Sequence, residues 1–207
     1  MELYFSPLSC ALATRIALYE CGGEHSFIEV SGPSGGKRLP DGSDYRALNP
    51  LGQVPMLRDG SLWLTENSAI LQYVARKHGA LMPRDEAGLT ELQRWLSFVG
   101  TELHKTVFNP LLDASASDEV KRYALGKSEP RLALLAAHLR ERDYLLAEFS
   151  VADAYLTAVL GWVPATPVSL EPWPALRAYL ERVRARPAVR KAIGEERELY
   201  RREQSRT

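Results

Sequence analysis

Cys10 is the residue of this chain whose type and position best suit nucleophilic chemistry. It follows the turn-forming sequence Ser6-Pro7-Leu8-Ser9 and opens a helix predicted over about residues 10–20. The dipole of a helix N-terminus stabilises a thiolate, which is the nucleophilic form of cysteine. The alternative is a buried structural cysteine, the commoner role for this residue type. Cys21, at the other end of the same helix, is predicted to be inert because the dipole there opposes the thiolate.

A second chemical feature is the sequence Asn49-Pro50-Leu51-Gly52-Gln53-Val54-Pro55-Met56-Leu57. Proline cannot donate a hydrogen bond to a sheet, so Pro55 is predicted to begin a strand or to lie on an edge. The backbone of Val54 would then be open to pair with an extended ligand. An X-Pro bond can be cis or trans, and the sequence leaves both open. A plain loop turn is the alternative to a binding segment.

A third feature is a polar helix start directly after a predicted strand. Thr65 is expected to be the N-cap of a helix that runs to Lys77 and ends at Gly79. The first turn of a helix binds carboxylates well, and Glu66 in that turn could bind an ammonium group. The sequence therefore predicts a place for both ends of an amino acid, with helix capping alone as the alternative.

Composition and charge narrow the class of protein. The 207 residues carry 26 Lys and Arg against 26 Asp and Glu, a net charge of zero, which does not indicate a nucleic-acid or membrane partner. The N-terminus lacks the pattern of a signal peptide, so a cytoplasmic location is expected. The two cysteines lie eleven positions apart, which matches no zinc or CxxC spacing, and we expect no metal.

Periodicity predicts two domains. Strand 3–5, helix 10–20 and strand 26–30 are predicted to form a βαβ unit with parallel strands, followed by a loop with a turn of helix near residues 43–47. A hairpin with Asp59-Gly60 at its turn and the helix after Thr65 complete the first domain, 1–80. A linker over 81–88 precedes an all-helical second domain, 89–207. Its first long helix carries an apolar stripe and is expected to end at Pro110. Further helices are predicted at 118–129, 130–142, 151–162, 173–184 and 188–201. The Arg- and Glu-rich segment from Glu195 is expected to be solvated.

Five segments of the chain together resemble the cytosolic glutathione transferases, and most closely their bacterial beta class. They are Ser9-Cys10-Ala11-Leu12-Ala13, Asn49 to Pro55, Thr65-Glu66, Thr101-Glu102-Leu103-His104-Lys105 and Phe149 to Tyr155. The resemblance implies an α+β, thioredoxin-like N-terminal domain with a mixed four-stranded sheet, followed by an all-α helical-bundle domain. It also implies a homodimeric detoxification enzyme that transfers alkyl or aryl groups of small apolar electrophiles to glutathione.

The resemblance implies roles for individual residues as well. Cys10 would meet the glutathione sulfur, with mixed-disulfide exchange as a second chemistry, and His104 would accept the thiol proton. Lys105 would stabilise an anion. The glutathione backbone would bind Gln53, Val54 and Pro55, and its γ-glutamyl end would bind Glu66, Asn67 and Ser68. Lys37 could reach the glycyl carboxylate, although an exposed, solvated lysine is the better-supported alternative.

Other positions are structural or depart from the resemblance. Ser150 and Asp153 are predicted to form a capping box that supports folding and takes no part in the reaction. Ala11 and Asn67 stand where relatives commonly carry serine, which leaves a non-catalytic binding protein of the same fold as an alternative. A glutathione-dependent reductase or dehalogenase is a third reading, since it would share the site and differ only in the acceptor pocket, which is expected near Leu8, Val107, Phe108 and Leu112.

Overall fold

The structure is a computed structural model that describes residues 1–32 and 36–205. Contacts divide the chain into two compact units. The first combines Met1–Ala80 with the last helix of the chain, and the second is Leu81–Arg186. This grouping differs from the predicted division into 1–80, 81–88 and 89–207, because Arg15 forms ion pairs with Glu195 and Glu196 of the last helix. The division into separate domains at 1–80 and 89–207, joined by a linker, stays a prediction.

The first unit is built on a mixed sheet of four short strands in the order β2-β1-β3-β4. β1 pairs in parallel with β2 and antiparallel with β3, and β3 pairs antiparallel with β4. The strands are β1 Glu2–Phe5, β2 Ser26–Glu29, β3 Met56–Asp59 and β4 Leu62–Leu64. The parallel pair and the hairpin with Gly60 at its turn confirm the predicted α+β fold of this part.

Two helices of the first unit carry the segments singled out in the sequence. Helix α1, Ala11–Cys21, connects the parallel strands, and helix α2, Asn67–His78, follows the hairpin and ends at Gly79 with φ of 61°. A left-handed glycine is a common end to a helix, as the sequence predicted here. The predicted turn of helix near residues 43–47 is a short 3₁₀ turn, Tyr45–Ala47.

The second unit is entirely helical among the residues described, which confirms the predicted fold class. Its helices, with a short 3₁₀ turn at Val163–Ala165, are α3 Glu86–Ser97, a π-helix Phe98–Phe108, α4 Asn109–Leu112, α5 Asp118–His138, α6 Val151–Leu160 and α7 Pro174–Arg184. The chain ends with α8, Pro187–Gln204, in the first unit. The apolar stripe predicted for the first long helix is buried throughout: Leu92, Trp95, Leu96, Val99, Leu103 and Val107.

Two predicted helix boundaries at prolines are wrong. Pro110 lies in the first turn of α4, where a residue without an N–H is tolerated, and the helical run ends at Leu112. Pro130 lies inside α5, which joins the two helices predicted at 118–129 and 130–142. The buried positions Leu132 and Leu135 continue the face that begins at Ala124, so packing along this face maintains the helix through Pro130.

Asp153 at the start of α6 organises the core of the second unit. Its carboxylate accepts hydrogen bonds from the N–H and the hydroxyl of Ser150, from the N–H of Leu145 and from the hydroxyl of Tyr179. Side chain and backbone of Ser150 and Asp153 bond reciprocally, which confirms the predicted capping box. Every residue of α6 is buried, so these bonds fix a helix that lies in the middle of the core.

Candidate active site

The predicted site residues fall in both units. Cys10, Lys37, residues 53–55 and residues 66–68 belong to the first unit, and His104 and Lys105 belong to the second.

Cys10 lies at the N-terminus of α1, as the sequence predicted. It is the N-cap residue and is 9% exposed, and its Sγ is 3.5 Å from the carbonyl oxygen of Val54, to which the thiol donates a weak hydrogen bond. Cys21 is half-buried at the far end of the helix, where burial raises the pKa of its thiol to about 11. A pKa this high leaves little Cys21 thiolate at neutral pH, which agrees with the predicted inertness of Cys21, although the cause is burial and not the helix dipole.

The segment before Pro55 is held rigidly from one side. The Val54–Pro55 peptide bond is cis. The carbonyl oxygen of Gln53 accepts hydrogen bonds from the hydroxyl of Tyr45 at 2.9 Å and from Nδ2 of Asn49 at 2.7 Å. Among residues 1–32 and 36–205, the N–H of Val54 has no acceptor. A donor that is open beside a fixed carbonyl suits strand-like pairing with an extended ligand.

The start of α2 differs in detail from the prediction. The N-cap is Glu66, with φ of 66°, and not Thr65, because the chain turns into the helix one residue later than expected. Glu66 is exposed, and within the part of the chain that the structure describes no side chain caps the first turn of α2. The backbone donors of this turn and an exposed carboxylate therefore lie next to each other, the combination that suits a carboxylate and an ammonium of one ligand.

Asn67 and Ser68 lie in that first turn with different surroundings. Asn67 is 7% exposed, and its Oδ1 accepts a hydrogen bond from the hydroxyl of Thr14 at 3.1 Å. Among residues 1–32 and 36–205, its buried Nδ2 has no hydrogen-bond partner. Ser68 is half-buried. Thr14 is a partner that sequence reasoning missed, since it is 53 residues away along the chain.

Lys37 is half-buried, so the exposed, solvated lysine expected as the alternative is not found. Burial lowers the pKa of Lys37, and the carboxylate of Glu203, together with Cys10 in its thiolate form, opposes that change. An ammonium close enough to interact with Cys10 favours its thiolate. Of the loop 32–36 that precedes it, residues 33–35 lie outside the described residues.

His104 lies in the π-helix, a form of helix that is common at functional sites. Its Nδ1 is 2.8 Å from the hydroxyl of Tyr155, and the edge of Trp162 packs against its ring. Burial, assisted by the charge of Lys105, lowers the pKa of His104 to about 4. The imidazole is therefore neutral at pH 7, and as a base it is weak. Tyr155 belongs to one of the five segments of the resemblance, but no local pattern indicates that its hydroxyl pairs with His104.

The segment expected to be solvated from Glu195 onward is instead partly interior. Glu196 is fully buried, and its Oε2 accepts a hydrogen bond from the N–H of Leu8 at 2.7 Å. The prediction was wrong at Glu196, because the partner of this carboxylate is 188 residues away and local charge density does not reveal it.

The described residues show neither a metal centre nor a membrane-spanning helix. Within residues 1–32 and 36–205, no three His, Cys, Asp or Glu side chains are grouped as metal ligands would be. No helix in the same ranges combines the length and apolar character that crossing a membrane requires.

Models of a known family match both parts of the chain. The model of the glutathione S-transferase N-terminal domain matches residues 9–77, and the model of the C-terminal domain matches residues 101–187. These ranges contain every residue that was assigned to the predicted site. They also contain the capping box of Ser150 and Asp153.

Curated proteins and solved structures agree with these matches. Glutathione S-transferase GstA of Escherichia coli O157:H7 is 36% identical over 95% of this chain and 98% of its own. The bacterial glutathione transferase BphK, solved as a ternary complex, has a TM-score of 0.90 and is 39% identical over 95% of this chain and 99% of its own. A beta-class enzyme of Sphingomonas chungbukensis has a TM-score of 0.88 and 38% identity over 95% and 98%. This chain belongs to the glutathione S-transferase family.

Proposed function

We propose that the first unit binds glutathione and that Cys10 meets the glutathione sulfur. As a member of this family the protein is a transferase with glutathione as its co-substrate. The observation that carries the proposal is the position of Cys10, at the N-terminus of α1 and 3.5 Å from the carbonyl oxygen of Val54. A related sphingomonad transferase, 40% identical over 95% of this chain and 98% of its own with a TM-score of 0.87, was solved with glutathione.

Backbone and side-chain groups of the first unit would divide the tripeptide between them. The open N–H of Val54 pairs with the cysteinyl part, which brings the glutathione sulfur to the side of the segment where Cys10 lies. The uncapped first turn of α2, with Ser68, binds the γ-glutamyl carboxylate, and Glu66 binds the γ-glutamyl ammonium. Lys37 binds the glycyl carboxylate or supports the thiolate of Cys10.

The reaction we propose is attack of the glutathione thiolate on the carbon of a small apolar electrophile. A carbon–sulfur bond forms, the leaving group departs with its electron pair, and the thiol proton passes to solvent or to a base. His104 was predicted to be that base. Since its pKa is about 4, we propose that it serves as a neutral hydrogen-bonding group and not as the proton acceptor. Lys105, which is exposed, stays a predicted anion-stabilising residue.

Thiol–disulfide exchange at Cys10 is the second activity we propose. The Cys10 thiolate attacks one sulfur of a glutathione disulfide, a mixed disulfide forms, and one glutathione thiolate leaves. The position of Cys10 at a helix N-terminus and beside Lys37 favours the thiolate that this exchange requires. A binding protein without catalytic activity would not need an activated thiol. A homodimer in the cytoplasm, with a pocket for the electrophile, completes the proposal.

Turnover with defined substrates tests the proposal. Purified protein is assayed with glutathione and an activated aryl halide for conjugation, and with glutathione and a small alkyl disulfide for exchange. We expect both activities, with exchange lost in Cys10→Ser and retained in Cys21→Ser, the matched control on the same helix. If Cys10→Ala left glutathione binding and both activities unchanged, the role assigned to Cys10 would be wrong.

A further inference from the structure

The turn before Cys10 contains a residue in an unfavourable backbone conformation. Leu8 has φ of 58°, in the left-handed region that residues with a side chain rarely adopt. Such conformations persist only where surrounding contacts hold them. Leu8 is two residues before Cys10, so its backbone helps to set where the chain enters α1 and where the thiol lies.

A carboxylate from the other end of the chain bonds this residue. The N–H of Leu8 donates to Oε2 of Glu196, on α8, at 2.7 Å. This length is typical of a hydrogen bond to an ionised acceptor, which is stronger than a neutral one. We propose that Glu196 is a positioning residue for the Cys10 thiol, because its buried carboxylate holds Leu8 in the left-handed conformation. The inference rests on the proposed function in taking Cys10 as the reacting thiol.

The carboxylate is itself fixed by Arg15 of α1. Nε of Arg15 lies 3.2 Å from Oε1 of Glu196, and Nη1 lies 3.0 Å from Oε2 of Glu195. The guanidinium is buried between the rings of Phe5 and Phe27, each 4.2 Å away. A planar cation that is stacked on two faces and paired along its edge has little freedom to move. Glu196 is therefore a rigid support for the turn and not a mobile surface acid.

Protonation of this carboxyl provides a way to test its effect. The charged and titratable groups that face Glu196 are Arg15 and Tyr19 of α1 and Glu195 of its own helix. Burial raises the pKa of Glu196 to about 7, while Arg15 and the Leu8 N–H oppose the rise. Because a protonated carboxyl is a weaker acceptor than a carboxylate, the bond to Leu8 should weaken as the pH falls through this value.

The first test needs no substitution. In the intact protein labelled with ¹⁵N, the amide proton of Leu8 is followed by NMR as the pH is changed. We expect its chemical shift to titrate near pH 7 and to move upfield as Glu196 is protonated. A Leu8 amide shift that stays constant through neutral pH would overturn the proposal, and this reading does not depend on whether a Glu196 variant folds.

The second test measures the Cys10 thiol directly, in a Cys21→Ser background. Alkylation by iodoacetamide, in which a carbon–sulfur bond forms and iodide leaves, is timed across neutral and alkaline pH. We expect Glu196→Gln to lower the Cys10 rate constant by about fivefold to tenfold, the loss that one weakened charge-assisted hydrogen bond allows. It should also remove the ionisation near pH 7 from the profile. Glu198→Gln, an exposed carboxylate on the same helix, is the control that should leave the profile as it is.

A rescue experiment separates positioning from general destabilisation. Glycine adopts the left-handed region without strain, so adding Leu8→Gly to Glu196→Gln should restore most of the lost Cys10 reactivity. Failure of Leu8→Gly to restore it, or an unchanged profile in Glu196→Gln, would contradict the proposal. Glutathione turnover of the starting protein is measured alongside: its absence would count against the proposed function, whereas the alkylation profiles decide the role of Glu196.

Discussion

Replacing Asp153 by alanine is expected to destabilise the protein by about 3 kcal/mol. The carboxylate is fully buried and accepts four hydrogen bonds, two of them from the backbone N–H groups of Leu145 and Ser150. Alanine leaves those two buried donors without an acceptor, and each unsatisfied buried donor costs about 1–3 kcal/mol. Part of this cost is offset because the substitution also removes a carboxyl whose charged form burial disfavours, as the raised pKa of Asp153 shows.

Asp143 provides the matched control. It also pairs with an arginine, Arg182, at 3.3 Å, but its side chain is 73% exposed. Exposed pairs contribute about 0–1 kcal/mol, so Asp143→Ala should change stability little. Urea unfolding followed by circular dichroism compares the two variants with the starting protein. If Asp153→Ala and Asp143→Ala lost the same small amount, the account of Asp153 as the organiser of the helical core would be refuted.

Three further results are expected. The imidazole of His104, whose pKa is about 4, should show no titration by NMR near neutral pH, and a midpoint near 6.5 would contradict its burial. The pKa of Glu196 is raised from 4.5 to about 7, so the stability that its protonated form provides is present below pH 4.5 and lost as the pH rises through 7. The difference in unfolding free energy between the starting protein and Glu196→Gln should therefore fall by about 3 kcal/mol over that interval. A difference that stays constant would argue against the raised pKa. Glu66→Gln should weaken glutathione binding by about tenfold, as measured by calorimetry against Glu86→Gln as a control, because an exposed charge-assisted bond to the ligand ammonium is lost.

Features whose cause is local could be predicted from the sequence. The βαβ unit, the hairpin turn at Gly60, the left-handed end of α2 at Gly79 and the capping box at Ser150 each depend on residues a few positions apart. The apolar stripe of the first long helix was also predicted, because burial follows the helical period wherever one face packs on a core.

Features that depend on distant partners could not be predicted. Pro130 reads as a helix end by itself, and only the packing of Leu132 and Leu135 on the same face as Ala124 shows that α5 continues. Glu196 lies in a run of charged residues that looks solvated, yet its partners Arg15 and Leu8 are at the start of the chain.

The candidate site also combines features that have a local cause with features that depend on distant partners. The position of Cys10 at a helix start followed from the turn before it, whereas the hydrogen bond between His104 and Tyr155 joins residues 51 positions apart. The low pKa of His104 follows from burial that no local pattern reveals, and it changes the proposed part of this residue from proton acceptor to neutral hydrogen-bonding group. His104 was a candidate from the sequence, but its neutral state at pH 7 could be inferred only from the structure.

A calorimetric titration of the reduced protein with glutathione at neutral pH tests the central claim most directly. The account predicts one site in each chain with a Kd in the micromolar to millimolar range, and binding that weakens in Glu66→Gln. No detectable heat of binding, under conditions where the protein is folded, would contradict the proposal that the segments around Val54 and Glu66 bind the tripeptide.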